Sequence, residues 1–214
     1  MRNNLGDFRK SYKKGALEES QLPMDPLLFF DIWFREAANH NSVDEVNAMS
    51  LSTHGTDGFP NTRVVLLKDY DSNGFTFYTN FNSSKGRAII NNPKVCLSFF
   101  WPGMERQIII KGDAQKINND DSLAYFQSRP RGSQIGAHAS PQSQVVPNRS
   151  YLEEQLTYFE KKFSDGTVPK PEHWGGFLVQ AYSIEFWQGR DNRLHDRILF
   201  TKDTDGWHRF RLAP

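Results

Sequence analysis

Cysteine occurs once in the 214 residues, at Cys96, so no disulfide can form within the chain. Its setting, Val95-Cys96-Leu97-Ser98-Phe99-Phe100, favours a buried, inert thiol. No stretch approaches the roughly 18 apolar residues of a membrane helix, and the polar N-terminal region lacks a signal-peptide core. Charge of one sign is missing too. Lys+Arg number 26 against 25 Asp+Glu, and the net +1 argues against nucleic acid or a polybasic membrane surface as partner. The six histidines show no metal-ligand spacing. G-x-G-x-x-G, the P-loop motif and G-x-S-x-G are all absent, which removes the Rossmann, P-loop and hydrolase-elbow readings. The expectation is a cytoplasmic protein that binds no metal.

Aromatic residues are abundant at 14%, and 17 Phe exclude disorder as the main state. They serve a core, a site for a flat ligand, or both. Residues 1–24 are polar and read as a flexible N-terminal arm, with 25–214 as one domain. Asp25-Pro26 opens a helix with Leu28, Phe29, Ile32, Trp33 and Ala37 as its apolar stripe. Strands are expected at 48–53, 62–68, 75–79, 95–101 and 106–111, with a short helix at 83–90. A further helix starts at Asn119-Asp120-Asp121 and stops at Arg129-Pro130. The stretch 131–147 reads as a long loop. Ser150-x-x-Glu153 reads as a capping box for a helix carrying Leu152, Leu156, Phe159 and Phe163. Strands return from Trp174, the last group including Arg193 to Phe200. Many short strands joined by turns point to a mainly-β α+β fold of barrel type with peripheral helices.

Cations placed in strands are the chemical signal. Alternation puts Arg193, His195 and Arg197 on one strand face, where either solvent and Asp partners or an anionic ligand relieves their repulsion. Arg63 and Lys68 bracket Val64-Val65-Leu66-Leu67. They are strand-end charges reaching water, or they serve different parts of one ligand. Tyr125 and Arg129 share a helix face, and Ser133 follows. A phenol, a guanidinium and a hydroxyl suit a phosphate, although an Arg meeting a helix dipole explains the same pattern. Trp187 and Gln142-Ser143 suit a flat heteroaromatic ring, or a core and a loop.

Taken in order, several runs resemble the pyridoxine/pyridoxamine 5′-phosphate oxidase family over nearly the whole chain. They are Arg63-Val64-Val65-Leu66-Leu67-Lys68, Phe77-Tyr78-Thr79-Asn80, Glu105-Arg106-Gln107, Tyr125-Phe126-x-Ser128-Arg129-Pro130-Arg131-x-Ser133, Trp174-Gly175-Gly176, Glu185-Phe186-Trp187-Gln188-Gly189, Arg193-Leu194-His195-Asp196-Arg197 and Arg211-Leu212-Ala213-Pro214. The resemblance implies an FMN-binding split β-barrel acting as a homodimer with FMN at the interface. It implies oxidation of pyridoxamine 5′-phosphate and pyridoxine 5′-phosphate to pyridoxal 5′-phosphate, with O2 as acceptor and H2O2 released, in vitamin B6 salvage and cofactor synthesis. It assigns FMN contacts to Arg63, Val64, Val65, Leu66, Leu67, Lys68, Tyr78, Thr79, Ser84, Lys85, Gln107, Gln142, Ser143, Trp187 and Arg197. Lys68, Tyr125, Arg129 and Ser133 match contacts to the substrate phosphate; Arg193, Leu194 and His195 match the substrate-ring segment. A guanidinium is a poor base, so Arg193 is expected to orient C4′ rather than remove its proton. The arm residues Arg9, Lys10, Ser11 and Tyr12 match a segment that folds over the site as a lid.

One position departs from the family. Ser84 stands where relatives usually carry an arginine that helps bind the FMN phosphate, so weaker FMN retention is expected unless Arg87 swings in. A sister flavoenzyme with another substrate and a non-catalytic carrier of FMN or vitamin B6 phosphate are the rival readings.

Overall fold

Asp25 caps the first helix, α1 (Pro26–Ala38), through its side chain, which accepts the Leu27 N–H at 2.8 Å, and Pro26 occupies the first helical position. The buried stripe is Phe29, Phe30, Trp33 and Ala37, rotated from the expected one, so that Leu28 and Ile32 are exposed. The rotation follows aromatic packing: Phe29 lies 4.1 Å from Phe186, and Phe30 lies 5.4 Å from Phe99, ring centre to ring centre. Each such ring contributes about 1.5–3 kcal/mol by leaving water. This computed structural model describes residues 4–7 and 10–214.

The strands are β1 (Ala48–His54), β2 (Pro60–Leu66), β3 (Asp69–Asp71), β4 (Gly74–Asn80), β5 (Lys94–Trp101), β6 (Arg106–Lys116), β7 (Trp174–Gln188), β8 (Asp196–Asp203) and β9 (Gly206–Leu212). The other helices are α2 (Ser84–Asn91), α3 (Asn119–Ser128), α4 (Arg131–Ala139) and α5 (Arg149–Lys162). Hydrogen bonds order the sheet as β2-β1-β5-β6-β7-β4-β3, with β8 on β7 and β9 on β8. The hairpin partner of β4 is thus the short β3, turning at Gly74. Gly74 has φ of +144°, and a Cβ there would meet the Val179 carbonyl oxygen at 2.1 Å.

The chain divides into two compact units. One comprises Met1–Ser50, Leu97–Lys111 and Ala181–Pro214, and the other Leu51–Cys96 and Gly112–Gln180. In the first unit β7 pairs with β8 from Ser183↔Thr201 to Gln188↔Asp196. Its core is aromatic, with Phe30, Phe99, Phe186 and Phe200 fully buried. Arm residues belong to this unit: the Asp196 carboxylate accepts the Leu17 N–H at 3.0 Å and binds Arg211 at 2.7 Å. In the second unit β4 pairs with β7 from Phe75↔Val179 to Asn80↔Trp174. Phe126, Ile135, Val168 and Trp174 form a buried cluster there, with Phe159 and Phe163 against it.

Three local expectations fail for identifiable reasons. The stretch 131–147 is not all loop, because α4 occupies 131–139. Its two glycines and its start after Pro130 hide the helix, which has no side-chain cap. Burial of Ile135 and Gln134 stabilises it, and Gln134 Nε2 donates to the carbonyls of Gln127 and Arg129 at 3.0 Å. The capping box does not form. Asn148 caps α5, and Glu153 pairs with Arg149. Lastly, β8 begins only at Asp196, after a 3-10 turn over Asp191–Arg193.

Among the described residues no helix is long and apolar enough to cross a membrane.

Candidate active site

All four residues matched to a phosphate, Lys68, Tyr125, Arg129 and Ser133, line one cleft of about 480 Å³ in the second unit. Arg129 ends α3 in an extended conformation, as expected before Pro130, and α4 then starts and brings Ser133 back. The guanidinium lies 4.7 Å from the Trp174 ring and 5.6 Å from that of Phe126. Its Nη1 is buried with no hydrogen-bond partner among the described residues. Burial holds the Arg129 pKa below its usual value, and Tyr125 nearby offsets part of that effect. A desolvated cation with an unused N–H group, beside a phenol and a hydroxyl, is built to receive an oxyanion.

Flat rings form the adjoining wall. Tyr78 stacks on Tyr125 at 3.9 Å and on Trp174 at 5.4 Å. Gly176, opposite Tyr78 in the sheet, permits this, because a Cβ there would meet the Tyr78 ring at 2.9 Å. Burial, and then Tyr125 nearby, push the Tyr78 phenol pKa up. Val64, Val65 and Leu66 line the same cleft as Thr79, Lys85 and Gln142, whereas Leu67 points into the core with 3% exposure.

Lys85 also lines a second cleft in this unit, of about 460 Å³, with Arg63, Ser84, Arg87 and Ser143. Arg63 and Lys68 therefore serve different clefts. Arg63 Nη1 is fixed by Thr53 Oγ1 and the Asn61 carbonyl, both at 2.8 Å. Gln142 Oε1 accepts from Lys85 Nζ at 2.9 Å and from Thr79 Oγ1 at 3.2 Å. Burial lowers the pKa of Lys85, and the Arg63 charge adds to the effect. Arg87 shares the cleft, but its guanidinium donates to the Asn82 carbonyl. Two cations depressed by burial, next to hydroxyl donors, fit the phosphate end of a cofactor such as FMN.

The remaining candidates lie in the first unit. Lys10, Ser11, Tyr12, Arg193 and His195 line a hollow of about 550 Å³; Arg9 lies outside the described residues. The strand-face argument for Arg193, His195 and Arg197 fails. Asn192 and Arg193 have φ of 57° and 63°, and this turn precedes the strand. Such backbone persists only where the surroundings enforce it. His195 Nδ1 accepts the Arg190 N–H at 3.0 Å, which places the proton of the neutral ring on Nε2. The His195 ring sits 4.8 Å from Trp187 and 5.7 Å from Tyr12. Arg197 is held by Glu185 at 2.7 and 3.1 Å and by the Ala213 carbonyl at 3.0 Å. Gln107 donates to Ser98 at 3.2 Å, and Leu194 is exposed.

Sequence reasoning missed Trp174 as the platform under Arg129. It also missed Gly136 and Ala137 on α4 and Ser140 just after it, which share the first cleft with Ser133. Their spacing is helical, and reading 131–139 as a helix reveals the face.

Residues 36–162 match the model for pyridoxamine 5′-phosphate oxidase, and residues 174–214 match that for the pyridoxine 5′-phosphate oxidase C-terminal dimerisation region. The chain is 56% identical over 214 residues to the pyridoxine/pyridoxamine 5′-phosphate oxidase of Christiangramia forsetii, covering all of both chains. It is 53% identical to that of Flavobacterium johnsoniae, covering 99% of each. Among solved structures, PhzG from Burkholderia lata superposes with a TM-score of 0.88 at 24% identity, over 96% of this chain and 100% of that one. The last likeness shows the fold, a mainly-β split barrel with peripheral helices.

Proposed function

Since the chain belongs to the pyridoxine/pyridoxamine 5′-phosphate oxidase family and is an enzyme of that kind, we propose that it converts pyridoxine 5′-phosphate and pyridoxamine 5′-phosphate to pyridoxal 5′-phosphate with O2 as acceptor, in vitamin B6 salvage and cofactor synthesis. The alcohol yields one H2O2; the amine also consumes water and yields ammonia. The observation that carries this reading is the buried Nη1 of Arg129, without a hydrogen-bond partner among the described residues, in one cleft with Tyr125, Ser133 and Lys68.

FMN, when bound, supplies the two-electron acceptor that O2 regenerates. Arg63, Ser84, Lys85 and Ser143 would hold its phosphate. This chain's own residues bind and orient. Arg129, Tyr125, Ser133 and Lys68 fix the substrate phosphate, and the aromatic wall keeps water from one side. Arg193 and His195 Nε2–H present donors to the substrate ring. They lie in the stretch that matches a dimerisation region. The reading is a homodimer with FMN at the interface, in which the second copy's Arg193 and His195 complete each site.

The test is anaerobic addition of pyridoxine 5′-phosphate to flavin-loaded protein. Bleaching of the yellow colour, then recovery with peroxide on readmitting air, is expected. Persistent colour despite bound ligand would make the protein a carrier.

Two further results are expected at the cofactor cleft. Ser84→Arg adds a charged donor beside Lys85, and FMN dissociation slows by about tenfold. An unchanged off-rate in a stopped-flow chase would show that Ser84 is no weakness. FMN affinity also depends on pH through Lys85. Its lowered pKa means that the charge is lost as pH rises through a value below the usual 10.5. Affinity therefore falls as pH rises through that value. A pH titration of FMN binding should show the step in the wild type and lose it in Lys85→Met.

A further inference from the structure

Glu105 lies in the turn between β5 and β6, with φ of 58°, a conformation that costs a non-glycine residue energy. Its side chain is only 2% exposed. One carboxylate oxygen, Oε2, accepts the backbone N–H groups of both Lys13 and Lys14, at 2.8 and 3.0 Å. Lys10 Nζ lies 3.7 Å from the other oxygen. The Glu105 carbonyl accepts the Gly189 N–H at 2.8 Å and Gln188 Nε2 at 3.2 Å. One strained, buried residue thus joins the arm to the end of β7.

The arm residue just before those two amides is Tyr12. Its ring meets Trp187 edge-on at 5.8 Å and His195 at 5.7 Å. Gly189 allows the approach, because a Cβ there would lie 2.8 Å from the Tyr12 ring and 3.1 Å from Glu105 Cβ. A carboxylate accepting backbone amides makes a charge-assisted bond, stronger than a neutral one. Lifting the arm re-exposes the carboxylate to water, so the contact can break and re-form.

We propose that Glu105 is a positioning residue: its carboxylate latches residues 13 and 14 and so holds Tyr12 against Trp187 and His195 over the hollow that contains Arg193. The proposal rests on the reading of that hollow as part of the substrate site, and it goes further by assigning the fastening to a residue that does not touch substrate.

The test uses the full-length, FMN-loaded protein and two variants. Glu105→Gly removes the carboxylate yet suits the left-handed backbone, so folding is preserved. Glu105→Gln keeps an oxygen able to accept both amides but removes the charge. Limited trypsin digestion reads the arm directly, because it cuts after Lys13 and Lys14. Cleavage there is expected to be about tenfold faster in Glu105→Gly, with an intermediate rate in Glu105→Gln. The melting temperature and cleavage elsewhere should stay at wild-type level. KM for pyridoxine 5′-phosphate should rise more than kcat falls, again with Glu105→Gln between the two. Wild-type cleavage rates after Lys13 and Lys14 in Glu105→Gly would overturn the latch. So would uniformly faster cleavage along the chain with a lowered melting temperature, which marks a merely structural residue. If the wild type fails to oxidise pyridoxine 5′-phosphate while the selective cleavage difference persists, the functional reading falls and the latch stands.

Discussion

Arg129→Met should cut kcat/KM for pyridoxine 5′-phosphate by about 10²–10⁴ while leaving the melting temperature within a few degrees of wild type. The first part follows from the donors lost. Each hydrogen bond from a charged group contributes about 1.5–3 kcal/mol, and a guanidinium can supply two to one phosphate. At 1.4 kcal/mol per tenfold, the sum gives the stated range. The second part follows from the orphaned Nη1. A buried donor without a partner costs about 1–3 kcal/mol, whereas the contact with Trp174 contributes about 0.5–2 kcal/mol. Replacing the guanidinium with an apolar chain of similar length removes both, and the two nearly cancel. For a chain of this size a residual of 1 kcal/mol shifts the melting temperature by only about 2–4 °C. Steady-state kinetics with pyridoxine 5′-phosphate and unphosphorylated pyridoxine, next to a thermal melt, check both parts. The variant should lose most of the preference for the phosphorylated substrate. A collapse in melting temperature with the preference intact would make Arg129 a structural cation.

Arg193→Lys should lower the rate of flavin bleaching in an anaerobic single turnover by about 10²-fold, with KM changed by less than about threefold. A misplacement of about 1 Å is enough for such a loss when a residue acts by orienting the reacting carbon. Lysine keeps the charge but replaces a flat fork with a point charge on a flexible stem. The backbone at Asn192 and Arg193 is left-handed, so the turn aims this side chain at an energetic cost that ordinary loops avoid. Bleaching at the wild-type rate in Arg193→Lys would show that charge alone suffices at this position and would remove its orienting role.

Both predictions concern arginines, yet the two differ in how far they could be read beforehand. Tyr125 and Arg129 stand four apart, and a period of 3.6 groups them although Arg129 is the extended residue that closes α3, so half of the phosphate set is legible from spacing. Ser133 reads from the sequence only as a loop residue that follows; α4 carries it, and α4 is hidden by Gly132, Gly136 and the lack of a capping side chain. For Arg193 the period of a strand misleads. Alternation holds within a strand, and the turn at Asp191–Arg193 comes before the strand begins. The stripe of α1 shows the same limit in milder form. Its helical spacing was legible, but which of two overlapping apolar faces turned inward depended on Phe186 and Phe99 from distant strands.

Local chemistry was therefore settled by the amino-acid order alone: Asp25 and Pro26 start α1, Pro130 ends α3, and the ordered runs from Arg63 to Pro214 mark the family. Such features depend on neighbours a few residues away, whose geometry is the same in any fold. Tertiary structure decided which charges lost their water. Trp174 beneath Arg129, Arg63 near Lys85 and Glu105 on the arm's amides are pairings between distant segments. Burial, which lowers the pKa of Arg129, Arg63 and Lys85, is a property of the assembled chain, because desolvation depends on everything packed around a group and not on its sequence neighbours.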